Sequence, residues 1–181
     1  MADPKTVGLQ LDIRPARTTD AAAILRLHRS VLQERRFFIT EPEEFRQSVD
    51  DKVRLIREFD RSGNSLFLLA RKGPDLLGFL TVRGGALNRM RHTGKLEIMV
   101  ATESRGRGVG RALMEAALRW ASGHQEIEKL GLSVFVDITR AIDLSRQFGF
   151  REEGRRLREY RTDEGRYVDD LLMYRFTVKK S

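Results

Sequence analysis

An α/β fold, one mixed sheet of about seven strands flanked by about four helices, is predicted from three observations. Short apolar or alternating runs recur along the chain, longer stretches repeat their apolar residues every three or four positions, and the two kinds interleave. The order they give is β-α-α-β-β-β-α-β-α-β-β, without internal repeats or low-complexity tracts.

Residues 1–8 read as a flexible leader and 9–178 as a single domain. Residues 9–15 alternate as a first strand. Thr18, Thr19 and Asp20 cap a helix running to about Arg35, with Ile24, Leu27, Val31 and Leu32 on one face. Thr40-Glu41-Pro42-Glu43 carries a Ser/Thr-x-x-Glu box with proline in the first turn, so a second helix is expected to start there. Phe45, Val49, Val53, Ile56 and Phe59 mark its inner face, and Ser62-Gly63 ends it. Residues 66–70 and 76–83 form a hairpin around the turn cluster Arg71-Lys72-Gly73-Pro74-Asp75. A short strand at 96–100 leads to a helix at 108–122, carrying Val109, Leu113, Ala117 and Trp120 inward and stopped by Gly123. Residues 130–136 are apolar and β-branched, as a buried strand requires. A helix at 138–148 closes at Gly149, and strands near 153–160 and 167–177 flank a turn at 162–165.

Composition narrows the chemistry. Of 181 residues, 40% are hydrophobic and 33% charged, a globular balance. No cysteine is present, which excludes disulfides, thiolate nucleophiles and cysteine-based metal sites. His28, His92 and His124 are too far apart to suggest a local metal motif, so no metal is expected; each reads as a structural or surface residue. The net charge of +8 favours anionic partners, phosphate-rich cofactors or nucleic acid. The chain carries no recognisable nucleic-acid-binding motif, so no specific nucleic acid is expected. No apolar run approaches the roughly 20 residues needed to span a bilayer, and the start lacks the pattern of a signal peptide. A cytoplasmic protein without membrane contact is the expectation.

The most informative stretch begins where the strand at 96–100 stops. Three glycines at alternate positions, Gly106, Gly108 and Gly110, lead straight into a helix. Glycine lets the backbone approach a ligand closely, and a helix start presents unpaired N–H groups at the positive end of its dipole. Such a turn either packs tightly for its own sake or cradles an anion, helped by Arg105, Arg107 or Arg111. A P-loop needs a lysine that is absent here, and the dinucleotide fingerprint needs a third glycine where Arg111 stands.

Arg105-Gly106-Arg107-Gly108-Val109-Gly110 resembles the Arg/Gln-x-x-Gly-x-Gly/Ala signature of the GNAT superfamily of N-acetyltransferases. A second block agrees with it: 132–136, then Thr139-Arg140-Ala141-Ile142, then Phe148-Gly149-Phe150 and Glu153-Gly154-Arg155. The resemblance spans roughly residues 10–177 in element order. It implies a largely antiparallel sheet that splays between the strands at 96–100 and 130–136, with acetyl-coenzyme A as co-substrate. The pantetheine arm would lie in the gap along the backbone of Ile98, Met99 and Val100. The amides of Gly106, Arg107, Gly108, Val109, Gly110 and Arg111 would take the pyrophosphate, with Arg105 opening the motif and Ile138 bordering the cofactor.

The implied reaction moves an acetyl group directly to a primary amine of a small molecule or protein. A lysine-like amine with a pKa near 10.4 is neutral in about one molecule per thousand at pH 7, so a base helps. Glu97, on the strand beside the opening, is the candidate. A backbone N–H near Met99 would meet the oxyanion. Many relatives read Asn-x-Arg-Ala-x-x-Leu-Tyr where this chain has Ile138 at the asparagine position and Ser145 at the tyrosine position. The tyrosine commonly protonates the leaving thiolate; Ser145 is the shorter residue in its place, able to act only through water. The departure opens a second reading, a coenzyme A-binding regulatory module with weak or no turnover. By the same resemblance Arg158, Tyr160 and Tyr167 line the acceptor side, and pairing of two copies through the terminal strands is an open possibility.

Overall fold

The computed structural model of the protein describes residues 10–177; the expected leader lies outside them. The elements run β1 (Asp12–Pro15), α1 (Ala21–Leu32), α2 (Val49–Arg61), β2 (Leu66–Lys72), β3 (Asp75–Gly84) and β4 (Thr93–Val100). Then follow α3 (Val109–Gly123), β5 (Lys129–Phe135), α4 (Thr139–Gln147), β6 (Arg151–Arg161) and β7 (Tyr167–Phe176). All seven strands join one sheet in the order β1-β2-β3-β4-β5-β7-β6. Every neighbouring pair is antiparallel except β4 and β5.

Strand alternation sends successive side chains to opposite faces and so builds two cores. Leu68, Leu80, Leu96, Leu130, Leu171 and Met173 pack with Leu113 and Ala117 of α3 and Ile142 of α4. On the other face Phe67, Leu69, Phe79 and Met99 pack with α1 and α2 through Ile24, Val31, Ile56 and Phe59.

The second helix corrects the expectation placed on Thr40. Glu41 N–H instead donates to the Glu44 carboxylate at 3.0 Å, closing an isolated turn. The helix starts a full turn and more later, where Ser48 and Asp51 form the reciprocal box: Ser48 N–H donates to Asp51 at 2.7 Å and Asp51 N–H donates to Ser48 Oγ at 3.2 Å. Phe45 therefore belongs to an irregular segment, residues 33–48, and not to α2.

Asp20, expected as a cap, holds the N-cap position of α1 but makes no side-chain capping bond to that helix; its carboxylate turns to the preceding residues instead. It is 4% exposed and accepts from Arg17 N–H at 2.9 Å, from both Arg14 guanidinium nitrogens at 2.8 Å, and from Arg71 at 2.9 Å. The Arg14 bonds hold its carboxyl below the usual range. Asp20→Asn keeps the shape but removes the charge that two arginines face, and we expect a stability loss of about 2 kcal/mol by urea denaturation. A midpoint equal to that of the parent would show that the cluster is solvent-screened.

Candidate active site

The sheet is open where the sequence places the chemistry. β4 and β5 are paired only from Thr93–Lys129 to Lys95–Gly131. Beyond Lys95 the two strands part, and the edge of β4 at Ile98, Met99 and Val100 faces the gap with no ladder to β5. Parallel strands that separate in this way leave a V-shaped slot whose walls are backbone.

At the wide end of the slot, after a short 3-10 turn at Thr102–Ser104, the chain passes through Gly106 at φ 78° and Gly108 at φ 84°. Both angles lie in the left-handed region that favours glycine. The first bond into α3 is Ala112 N–H to Gly108 C=O at 2.9 Å, and among the described residues no acceptor meets the amides of 106–111. A side-chain carbon at Gly108 would meet nothing within 4 Å, so the backbone there is open to an incoming group. Gly110 has a different purpose. A Cβ there would press on Leu144 at 3.3 Å and approach Ile98 at 3.7 Å, so its absence seats α3 against α4 and β4.

Three arginines named from sequence separate in the structure. Arg105 is committed: its guanidinium makes two 2.6 Å bonds to Glu34, donates to Val100 C=O at 3.1 Å and lies 4.3 Å from the Phe37 ring centroid. Those bonds pull the Glu34 carboxyl below its usual range. The Arg105 side chain thus fastens the turn to the end of α1, and only its backbone remains for the cofactor. Arg111 is bonded to Gln147 and sits over Phe148, bracing α3 on α4. Arg107 is exposed and has no carboxylate within ion-pair distance among the described residues.

Arg140, which belongs to the second sequence block, stands beside the glycine turn. It lies in the first turn of α4, and its guanidinium covers Gly106 so closely that a Cβ there would collide with it. A cation at a helix N-terminus is disfavoured by the dipole. Here the glycine turn before α3 and the first turn of α4 meet through Arg140, an arrangement that suits an anion.

The remaining candidates fall as follows. Glu97 is exposed on β4, opposite Thr81 of β3 and 3.6 Å from Lys95, on the same face as Met99 and the helices α1 and α2. Ser145 is 4% exposed, and its hydroxyl donates to Ala141 C=O at 2.9 Å. It is a back-bonded helix serine, its hydroxyl proton directed at the helix backbone. Ile138 is the N-cap of α4 without a side-chain bond, its N–H donating to Phe135 C=O at 3.0 Å. Segment 33–48 meets the β6–β7 turn through Arg35 and Asp163 at 3.2 Å, while Arg166 of that turn reaches Asp137 at 3.1 Å. Tyr160 packs at a tilt against Phe135 at the end of β5, 4.8 Å between centroids, and its phenol is pushed up by burial.

The acetyltransferase (GNAT) family model matches residues 29–150, which include the open edge of β4, the glycine turn and α4. The chain belongs to the acetyltransferase (GNAT) family. As a GNAT protein it is an acetyl-coenzyme A-dependent N-acetyltransferase, and the splayed strands and glycine cradle are the parts that this activity requires. Among its relatives is the L-amino acid N-acetyltransferase AaaT of Escherichia coli (strain K12), 28% identical over 171 residues, covering 92% of this chain and 98% of the relative. Spermidine N(1)-acetyltransferase of Vibrio cholerae is 32% identical over 88 residues, covering 49% and 50%. A solved GNAT acetyltransferase from Streptococcus pneumoniae superposes with a TM-score of 0.88 at 26% identity, covering 92% of this chain and 99% of that one.

Proposed function

We propose that this GNAT enzyme transfers acetyl directly from acetyl-coenzyme A to the primary amine of a free amino acid, with Glu97 as the base. The observation that carries the cofactor side is the set of unpaired amides at 106–111 beside the Arg140 guanidinium. The full-length likeness to an L-amino acid acetyltransferase supports the acceptor class. The pyrophosphate binds at the cradle, the pantetheine extends along Ile98, Met99 and Val100, and the thioester reaches the acceptor face. The amine nitrogen attacks the thioester carbonyl carbon, and the oxyanion is met by backbone N–H near Met99. The C–S bond then breaks and the sulfur leaves as thiolate; of the two protons the ammonium gives up, one passes to Glu97 so that the neutral nitrogen can attack, and the other leaves the tetrahedral intermediate to solvent.

With Ser145 bonded to Ala141, the thiolate leaves unassisted. A thiol of ordinary pKa near 8.5 makes that step cost about 2 kcal/mol at pH 7, which slows turnover without abolishing it. Glu97→Gln is expected to lower kcat about 100-fold at neutral pH with unchanged cofactor affinity. The deficit shrinks as pH rises and the amine deprotonates unaided; thiol release followed from pH 6.5 to 10 reads both effects. A flat ratio near one across that range would remove Glu97 from the mechanism.

Isothermal titration of acetyl-coenzyme A, followed by thiol release over a panel of L-amino acids and polyamines, tests the whole reading. Tight cofactor binding with no release from any acceptor would favour the regulatory-module alternative that Ile138 and Ser145 suggest. The cysteine-free composition and the cofactor fit a cytoplasmic location. Exposed Leu157 and Tyr167 on β6 and β7 support pairing of two copies there, which light scattering would read directly.

A further inference from the structure

Between α1 and α2 lies a buried lysine–histidine pair that the acetyl transfer leaves unused. Lys52 is 2% exposed, and its Nζ lies 2.9 Å from Nδ1 of His28. The Phe45 ring centroid is 5.5 Å from the ammonium and 4.4 Å from the imidazole, and Phe79 and Phe38 lie 6.0 and 6.3 Å from the imidazole. Among the described residues no carboxylate stands within ion-pair distance of Lys52. A buried ammonium normally has a counter-anion, because burying a charge is costly unless it is paired. Here its hydrogen-bond partner is a ring nitrogen that burial keeps neutral at physiological pH. One of three ammonium donors is used by that bond.

The placement connects the pair to the reaction. Phe79 of β3 is in register with Met99 of β4, so the aromatic box stands one strand away from the edge along which the thioester is proposed to lie. It lies on the α1/α2 face, which also carries Glu97. Phe38 and Phe45 come from irregular segment 33–48 and close the box from above. Long connections without regular structure often act as lids. This one is anchored at its ends by Glu34 to Arg105 and by Gln47 C=O to Arg29, while its middle meets the β6–β7 turn only through the exposed Arg35–Asp163 pair, a weak contact.

We propose that Lys52, oriented by His28, is the recognition element for a carboxylate carried by the acceptor, so that the site selects amines bearing an anion and rejects polyamines. This rests on the acetyltransferase reading above and deepens it by naming the acceptor's second functional group. A carboxylate entering beneath segment 33–48 supplies the missing counter-charge and fills the two remaining ammonium donors. A polyamine brings more positive charge toward an uncompensated cation. Selection of this kind is built from attraction and repulsion together.

The test compares acids with their neutral counterparts. For the wild-type enzyme, thiol release is measured with L-amino acids, the matching amino acid amides, and spermidine. Acids are expected to have KM values at least tenfold below their amides, and Lys52→Met to erase that difference while leaving acetyl-coenzyme A binding unchanged. In wild type, Lys52 Nζ is also titrated by NMR in lysine-labelled protein with and without saturating N-acetyl amino acid, the reaction product. His28 and the Phe45 ring face it, the Asp51 charge acts on it along α2, and Phe38 and Phe79 face the imidazole of His28. Product binding is expected to raise the Lys52 titration midpoint by a unit or more, and this readout needs neither turnover nor a folded variant. Equal KM values for acids and amides, or a Lys52 midpoint unmoved by saturating product, would overturn the proposal while cofactor binding and turnover still stand. Absence of turnover with every amine would instead count against the acetyltransferase reading itself.

Discussion

Gly108→Glu is expected to weaken acetyl-coenzyme A binding about a thousandfold by isothermal titration. Gly108 stands at φ 84°, where a residue with a Cβ pays about 1–2 kcal/mol of strain. The larger effect is electrostatic. The new carboxylate occupies the open space over amides 106–111, and it draws Arg107 and Arg140 to itself. Losing two charge-assisted hydrogen bonds at about 1.5–3 kcal/mol each is worth about 10²–10⁴ in affinity. Two controls separate the causes. Gly108→Ala carries the strain without the charge, and should lose about 1 kcal/mol of stability with little loss of binding. Gly63→Glu puts the same substitution at a comparable φ of 72°, likewise with nothing within 4 Å, but far along the chain from the cradle, and should bind the cofactor normally. Normal binding by Gly108→Glu itself would place the pyrophosphate somewhere else.

The element order and the glycine turn were legible because both are local. A 3.6-residue or two-residue period needs only a window of neighbours, and the helix start after Gly108 follows from its glycines. What was not legible depends on pairs far apart in sequence. Arg105 was read as a phosphate ligand from its motif, but its side chain answers to Glu34, 71 residues away. Arg140 reaches Gly106 only because α4 folds back beside the β4 turn. The false helix start at Thr40 shows competition between equal local signals. Ser48 and Asp51 offer the same box, and Val49, Val53 and Ile56 follow that one as a continuous helix. Ser145 looked available because a serine's orientation cannot be read from its position; back-bonding to Ala141 is a choice of rotamer.

His28 reads from sequence as a partly buried structural residue, and its partner Lys52 lies 24 positions away on another helix. Together they are expected to give the protein an unusual stability profile in pH. Burial first, and the Lys52 charge second, depress His28 to about 4 from 6.5. Between those values the unfolded chain holds a proton that the folded one does not, so stability is lost as pH falls from 6.5 toward 4. Burial likewise depresses Lys52 to about 8 from 10.5, against a smaller opposing pull from Asp51. Between 8 and 10.5 the unfolded chain again holds the extra proton, so this pair makes stability climb with pH there, opposite to the usual behaviour of a lysine with an acidic partner. Each window is worth about 3 kcal/mol. The rest of a basic protein also titrates, so the informative quantity is the difference between wild type and Lys52→Met in urea denaturation from pH 4 to 10.5. The variant should lose the alkaline climb entirely. Its His28 midpoint, followed by imidazole NMR, should rise but stay below 6.5, because burial remains when the neighbouring charge is gone. Parallel stability curves for the two proteins would mean that Lys52 is solvated in solution and that Phe38 and Phe45 do not close over it. A lost alkaline climb with an unmoved His28 midpoint would mean that the two side chains are each buried but do not touch.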